Sequence, residues 1–175
     1  MAEAILAGGC FWCTEAVFRQ LDGVSAATSG YIGGRTENPT YKQVCGGDTG
    51  HAEAIRITFD PARLSYGDLL DVFFATHDPT QLNRQGNDIG TQYRSAIFPL
   101  DDAQRAEAEA AIARAGAERT APIVTTVEGP AQWWPAEDYH QEYWEGEGQR
   151  NPYCLAVIPP KLAKLRKGFQ EKLKV

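Results

Sequence analysis

Residues 3–31 read EAILAGGCFWCTEAVFRQLDGVSAATSGY, and the periodicity of this stretch changes twice. Glu3-Ala-Ile-Leu-Ala-Gly8 is a short apolar run stopped by Gly8-Gly9, which reads as a buried strand. Phe11, Val17, Phe18 and Leu21 then recur at helical spacing until Asp22-Gly23 ends the run, and Val24 to Tyr31 resumes as a strand. Outward from there, residues 54–59 alternate in period two and are closed by Asp60-Pro61, a strand signal. Ser65 followed by Asp68 resembles a capping box for a helix reaching His77. A strand is expected at 93–98, a helix capped by Asp101 and ending near Gly116, and a further strand at 122–127. The last third is irregular, with a short helix around 137–144, turns rich in Gly, Asn and Pro, and a basic C-terminal helix. Segments 33–50 and 78–90 read as loops longer than usual connections, and such loops are commonly functional.

The order strand, helix, strand, strand, helix, strand is the split βαβ pattern of ferredoxin-like folds. Helices on one face of a mixed sheet give an α/β (α+β) two-layer sandwich, here with an appended helix and strand and an irregular C-terminal extension. At 175 residues the chain is about the size of one domain, so a single domain over 1–175 is expected.

Composition excludes several classes. With 43% hydrophobic and 23% charged residues, collagenous and disordered readings fail. No apolar run approaches the ~18 residues of a membrane helix, and the first nine residues lack the basic start of a signal peptide. A net charge of −6 argues against nucleic acid as a partner. Residues 161–175 carry Lys161, Lys164, Arg166, Lys167, Lys172 and Lys174 against Glu171, which reads as a solvated helical face lying on an acidic body. Four cysteines in a chain long enough to build a core without staples point to the reducing cytoplasm.

Cys10 follows a strand and two glycines and opens a helix, where free N–H groups and the helix dipole favour thiolate over thiol. The alternative is a small buried hydrophobe. Cys13 completes a C-x-x-C, but no βα unit precedes it, which weighs against a thioredoxin-like fold. No second Cys or His pair stands at zinc-ligand spacing, so no metal is expected. Glu53 closes the polar, Gly-rich run YKQVCGGDTGHAE just before a strand; alone it reads as an exposed strand-start residue before it reads as a buried acid. Cys45 has no charged neighbour and reads as packing.

Together these residues carry a resemblance. Gly9-Cys10-Phe11-Trp12, Gly30-Tyr31, Gly33-Gly34, Asn38-Pro39-Thr40-Tyr41 and Thr49-Gly50-His51-Ala52-Glu53 resemble peptide methionine sulfoxide reductases of the A class. So do His77-Asp78-Pro79, Arg84-Gln85-Gly86-Asn87-Asp88, Gly90-Thr91-Gln92-Tyr93-Arg94-Ser95 and Glu137-Asp138-Tyr139-His140-Gln141, in order across residues 5–160. The resemblance implies reduction of the S epimer of methionine sulfoxide, in proteins or free, by one catalytic domain with no bound cofactor. By similarity Cys10 is the nucleophile, Phe11 and Trp12 form a slot for the S-methyl group, Glu53 is the proton donor, Tyr41 and Tyr93 orient the oxygen, and Asp88 is a supporting polar residue. The sulfenic acid left on Cys10 is then condensed to a disulfide by a second thiol, and thioredoxin is the expected reductant.

Two departures bear on that second thiol. Many relatives have glycine at the position of Cys13, and some carry a Gly-rich tail with two recycling cysteines. Here a single late cysteine, Cys154, follows Asn151-Pro152-Tyr153. Cys154 is taken as the resolving thiol, swinging across from a mobile turn, with Cys13 as its rival, its sulfur expected to point into the core. A monomer is expected, since an enzyme acting on exposed side chains needs no partner subunit. A cysteine-dependent peroxide scavenger is the rival enzyme class, though it has no use for Glu53 or a methyl slot. A non-catalytic module binding through its Trp and Tyr side chains is the rival outside enzymes.

Overall fold

The computed structural model describes residues 1–174. Its elements run β1 (Ala2–Gly8), α1 (Phe11–Phe18), β2 (Val24–Ile32), α2 (Tyr41–Cys45), β3 (Ala52–Phe59), α3 (Tyr66–Thr76), β4 (Arg84–Gln85), β5 (Asp88–Ile89), β6 (Ser95–Ile97), α4 (Asp102–Ala117), β7 (Thr126–Val127), β8 (Trp134–Pro135) and α5 (Pro152–Phe169). Six strands form one sheet in the order β7-β6-β1-β3-β2-β8, while β4 and β5 pair as a separate hairpin. β6, β1, β3 and β2 are antiparallel neighbours, the ferredoxin-like core, and the parallel β6–β7 pair makes the sheet mixed.

Strand alternation decides what each face holds. Leu6 pairs with Ile55 and Ala4 with Ile57, and these four join the large cluster that also takes Phe18, Leu69, Leu70 and Phe73 from α1 and α3. Ile5, Ala7, Ala52 and Ala54 point the other way, into a smaller cluster closed by Phe98 and Trp133. A fully buried Leu, Ile or Phe contributes ~1.5–3 kcal/mol, so the helix-covered face, with most of the large side chains, carries most of the packing energy. The same alternation aims Glu53 to the side of Ile55 and Ile57, under the helices.

Several boundaries depart from the sequence reading. The 33–50 loop contains α2, started by a Thr40–Gln43 capping box, and the 78–90 loop contains the β4–β5 hairpin. α1 stops at Phe18 instead of running to Leu21. The strand expected at 122–127 is reduced to Thr126–Val127, and the helix expected around 137–144 to a single 3₁₀ turn at Asp138–His140. The C-terminal helix begins nine residues before its basic part, at Pro152, with Asn151 accepting hydrogen bonds from the N–H groups of Tyr153 and Cys154. Beyond α5 the basic tail docks on the end of α1: the N–H of Asp22 donates to the Lys172 carbonyl at 2.7 Å, and the Lys172 ammonium lies 3.4 Å from Asp68. Among the described residues no helix is long and apolar enough to cross a membrane.

Candidate active site

Cys10 is the N-cap of α1 and is 7% exposed. Gly9 before it has φ +99°, and a Cβ there would meet the Gln85 side chain at 2.8 Å, so only glycine fits this turn. No side chain caps α1. The first free N–H, that of Phe11, goes elsewhere and donates to Glu53 Oε1 at 3.1 Å. An uncapped helix start thus joins the candidate nucleophile to the candidate acid.

Glu53 is 1% exposed, and its Oε2 has no hydrogen-bond partner among the described residues. Burial pushes its pKa up to about 8, against the Phe11 N–H, which lowers it. The carboxyl is therefore protonated at neutral pH, with an O–H to give. The exposed strand-start reading of Glu53 does not hold, because the large cluster covers its face of β3. Burial first, and then the nearby Glu53, push the phenols of Tyr41 and Tyr93 above their ordinary range, so both remain donors.

Phe11 and Trp12 occupy different settings. Phe11 is 0% exposed, its ring 5.6 Å from that of Tyr31 and 5.0 Å from that of His140. Trp12 is half-buried and stacks on Tyr143 with ring centroids 4.0 Å apart. Its indole N–H donates to His140 Nδ1 at 2.9 Å, which leaves the His140 proton on Nε2. Glu137 ties this segment down by accepting from the Tyr31 hydroxyl at 2.8 Å and from the Tyr41 N–H at 2.9 Å. Nothing local in the sequence marks the roles of Glu137, His140 and Tyr143, because the partners named here, Trp12, Tyr31 and Tyr41, lie far earlier in the chain.

On the other side of Cys10 opens a cleft of about 520 Å³, walled by Cys13, Asp88, Tyr153 and Lys161 among others. Asp88 accepts a short hydrogen bond from the Tyr153 hydroxyl. Here the sequence expectations about the second thiol need correction. Cys13 is 4% exposed and joins the core cluster, as expected, but it does not turn away from the site: it also lines the cleft beside Cys10, and the two thiols shift one another's pKa. Cys154 is not in a mobile turn. It sits in the first turn of α5, 0% exposed, on the stripe it shares with Ile158, Leu162 and Leu165. That stripe follows the 3.6-residue period into the core, while neighbouring Tyr153 faces the cleft.

The charge in the thiol pair also falls differently from the helix-dipole argument. The hydrogen bond with Cys13, and then burial, hold the Cys10 thiol well above its ordinary pKa, outweighing the Trp12 N–H. The hydrogen bond from Cys10 lowers Cys13, assisted by Lys161 and the Tyr153 hydroxyl against the effect of burial. Of the two thiols, Cys13 is therefore the one favoured to ionise.

Comparison with known proteins gives one consistent family. The family model described as peptide methionine sulfoxide reductase matches residues 2–173. The chain is 74% identical over 166 residues to a peptide methionine sulfoxide reductase MsrA of Erwinia tasmaniensis, covering 95% of this chain and 93% of that one. It is 57% identical to the protein of the same name in Deinococcus radiodurans over 98% of this chain and 84% of the relative. Among solved structures, reduced Mxr1 of Saccharomyces cerevisiae superposes with a TM-score of 0.78 at 37% identity over 86% of each chain. Methionine sulfoxide reductase A of Corynebacterium diphtheriae gives 0.72 at 34% identity over 86% of this chain and 74% of that one.

Proposed function

The chain belongs to the peptide methionine sulfoxide reductase family, and from that premise we propose how its own residues carry the reaction. The protein reduces methionine sulfoxide to methionine. The observation that supports the assignment of roles is the uncapped start of α1, where Phe11 N–H holds one oxygen of a protonated Glu53 and leaves the other free beside Cys10.

A sulfoxide sulfur is a weak electrophile until its oxygen takes a proton. Glu53 gives that proton from Oε2, with Tyr41 and Tyr93 donating to the same oxygen. The Cys10 proton leaves along the hydrogen bond to Cys13 as the Cys10 sulfur attacks the substrate sulfur. The oxygen, carrying the Glu53 proton, then passes from the substrate sulfur to the Cys10 sulfur as the new sulfur–sulfur bond breaks. Its electron pair leaves with methionine, which is reduced by two electrons, and Cys10, oxidised by two, is left as sulfenic acid. Trp12, held by His140 and Tyr143, presents the face against which the S-methyl group packs, with Phe11 behind it. With oxygen and methyl both fixed, only one arrangement at sulfur fits, and the family points to the S epimer. A peroxide scavenger is not favoured, since peroxide has no methyl group and needs no buried acid.

In the second half Cys13 attacks the Cys10 sulfenic sulfur, forming a disulfide and releasing hydroxide, which takes a proton to become water. A three-residue separation across a helix start keeps the two Cα atoms close, within the ~4.4–6.8 Å that a disulfide spans. We assign the resolving role to Cys13 and not to Cys154, because Cys13 shares the cleft with Cys10 and Cys154 does not. The dithiol of thioredoxin then returns both cysteines to the reduced state. Asp88 shapes the cleft through its bond with Tyr153. We read residues 1–175 as one catalytic domain acting as a monomer in the cytoplasm, where all four unbridged cysteines suit a reducing compartment.

The test is reduction of the separated S and R epimers of a methionine sulfoxide peptide with thioredoxin recycling. Turnover of the S epimer alone is expected. Equal turnover of both, or preference for R, overturns the reading.

A further inference from the structure

α5 places two neighbouring stripes against α1. Tyr153, Val157, Pro160 and Lys161 share the stripe that walls the cleft, beside the core stripe of Cys154, Ile158 and Leu162. Lys161 is therefore the exception in the basic tail. Instead of lying on a solvated face, it is half-buried, with its ammonium donating to the Thr76 carbonyl at 2.8 Å. Among the described residues no carboxylate lies within ion-pair distance of it. A cation taken out of water wants a counter-charge, and one carbonyl is a partial substitute.

Lys161 also lines a second, small void of about 10 Å³, together with Cys13, Thr76 and His77. His77 supplies no charge there. Burial pushes its pKa down to about 3, and its ring nitrogens are occupied by the Phe73 carbonyl and the Ser95 hydroxyl. Cys13 is the remaining group in that void able to carry a negative charge. It is faced by Cys10 from its own helix, Glu53 from β3, Asp88 from the β4–β5 hairpin, His77 from the end of α3, and Tyr153, Cys154 and Lys161 from α5. Of these, Lys161 alone is a cation at neutral pH.

We propose that Lys161 is the counter-ion of the Cys13 thiolate and, through it, speeds disulfide formation in the second half of the reaction. The inference rests on the reading that Cys13 is the resolving thiol. Attack on a sulfenic sulfur needs the thiolate, and the thiolate fraction at a given pH follows the thiol's pKa. Lys161 touches neither substrate nor the bond being broken; it is a positioning residue acting through charge. The lowering of the Cys13 thiol by Lys161 agrees with this role.

The test mixes the reduced enzyme with one equivalent of sulfoxide, quenches at intervals, and follows methionine release, the Cys10 sulfenic acid as its dimedone adduct, and the disulfide by mass spectrometry. In Lys161→Met the interval between methionine release and disulfide formation should lengthen roughly tenfold at pH 7, the change that one pKa unit in Cys13 brings. Sulfenic acid accumulates in that interval, and the delay shrinks as pH is raised and Cys13 ionises unaided. Lys161→Arg should keep most of the speed, which a loss of packing alone would not explain, and Lys161→Gln repeats the comparison if methionine disturbs the fold. Unchanged disulfide formation in both neutral variants across pH 6 to 9 overturns the role of Lys161. Disulfide formation at full speed in Cys13→Ser instead overturns the assignment of Cys13, so the two failures are separable.

Discussion

The two helices that carry cysteines near their first turns, α1 and α5, begin in opposite ways. α5 is closed: Asn151 accepts from the N–H groups of Tyr153 and Cys154, and Pro152 at the first helical position has no N–H to satisfy. α1 is open: Cys10 makes no side-chain cap, and the free N–H of Phe11 serves Glu53. Cys13 and Cys154 hold the same position, three residues past their caps, and both join the core cluster, yet Cys13 also lines the cleft. A helix start whose donors are satisfied locally is structural, and one whose donors are left over is available for chemistry.

The harshest way to break this comparison is Cys10→Ser. If the open start carries the nucleophile, this variant loses methionine release altogether while keeping its thermal unfolding midpoint, since a hydroxyl is far less nucleophilic at neutral pH. Release of methionine by the variant, read by mass spectrometry, would remove Cys10 from the mechanism. Next in size is Glu53→Gln, expected to slow single-turnover methionine release by about 10²–10⁴-fold, the usual range for losing a general acid. The pH profile sharpens it. The acid form of Glu53 is the working form and persists below about 8, so the release rate should fall as pH rises through that value, and Glu53→Gln should lack this limb.

Tyr41→Phe and Tyr93→Phe each remove one of two hydroxyls around the same oxygen. Each should slow the same step less than Glu53→Gln does, about 10-fold, in keeping with one lost hydrogen bond of ~1.5 kcal/mol. The double variant should approach the product of the two; if either single variant is silent in single-turnover kinetics, that tyrosine is not at the oxygen. At the closed start the effect should be on stability instead. Asn151→Ala should lower the unfolding free energy by about 1 kcal/mol. Urea unfolding checks this, and methionine release at the opposite helix start should be unaltered.

What was legible in the sequence follows the same division. The four core strands and α1, α3 and α4 declared themselves by period two or 3.6 and by caps such as Ser65 and Asp101, because their burial pattern is local. α2 was hidden, having only Val44 buried, although the Thr40–Gln43 spacing was there to be read. The start of α5 is hidden by Pro152, which sits among turns rich in Gly, Asn and Pro, whereas Asn151-Pro152 is a favourable cap and first position. Taken as a turn, this segment places Cys154 in a mobile loop; as a helix start it places it in the core. The side of the site facing Glu53 came through the motifs, while the side facing Lys161 did not, since a lysine among five other basic residues carries no sign that it is buried.

The central claim is that the open start of α1 performs both halves of the reaction. The most direct measurement is peptide mapping, by mass spectrometry without reductant, after the unsubstituted enzyme has reacted with one equivalent of methionine S-sulfoxide. A dominant Cys10–Cys13 disulfide is expected, with the Cys154 thiol still free, and Cys154→Ser should turn over with thioredoxin at the rate of the unsubstituted enzyme. A dominant Cys10–Cys154 disulfide would contradict it.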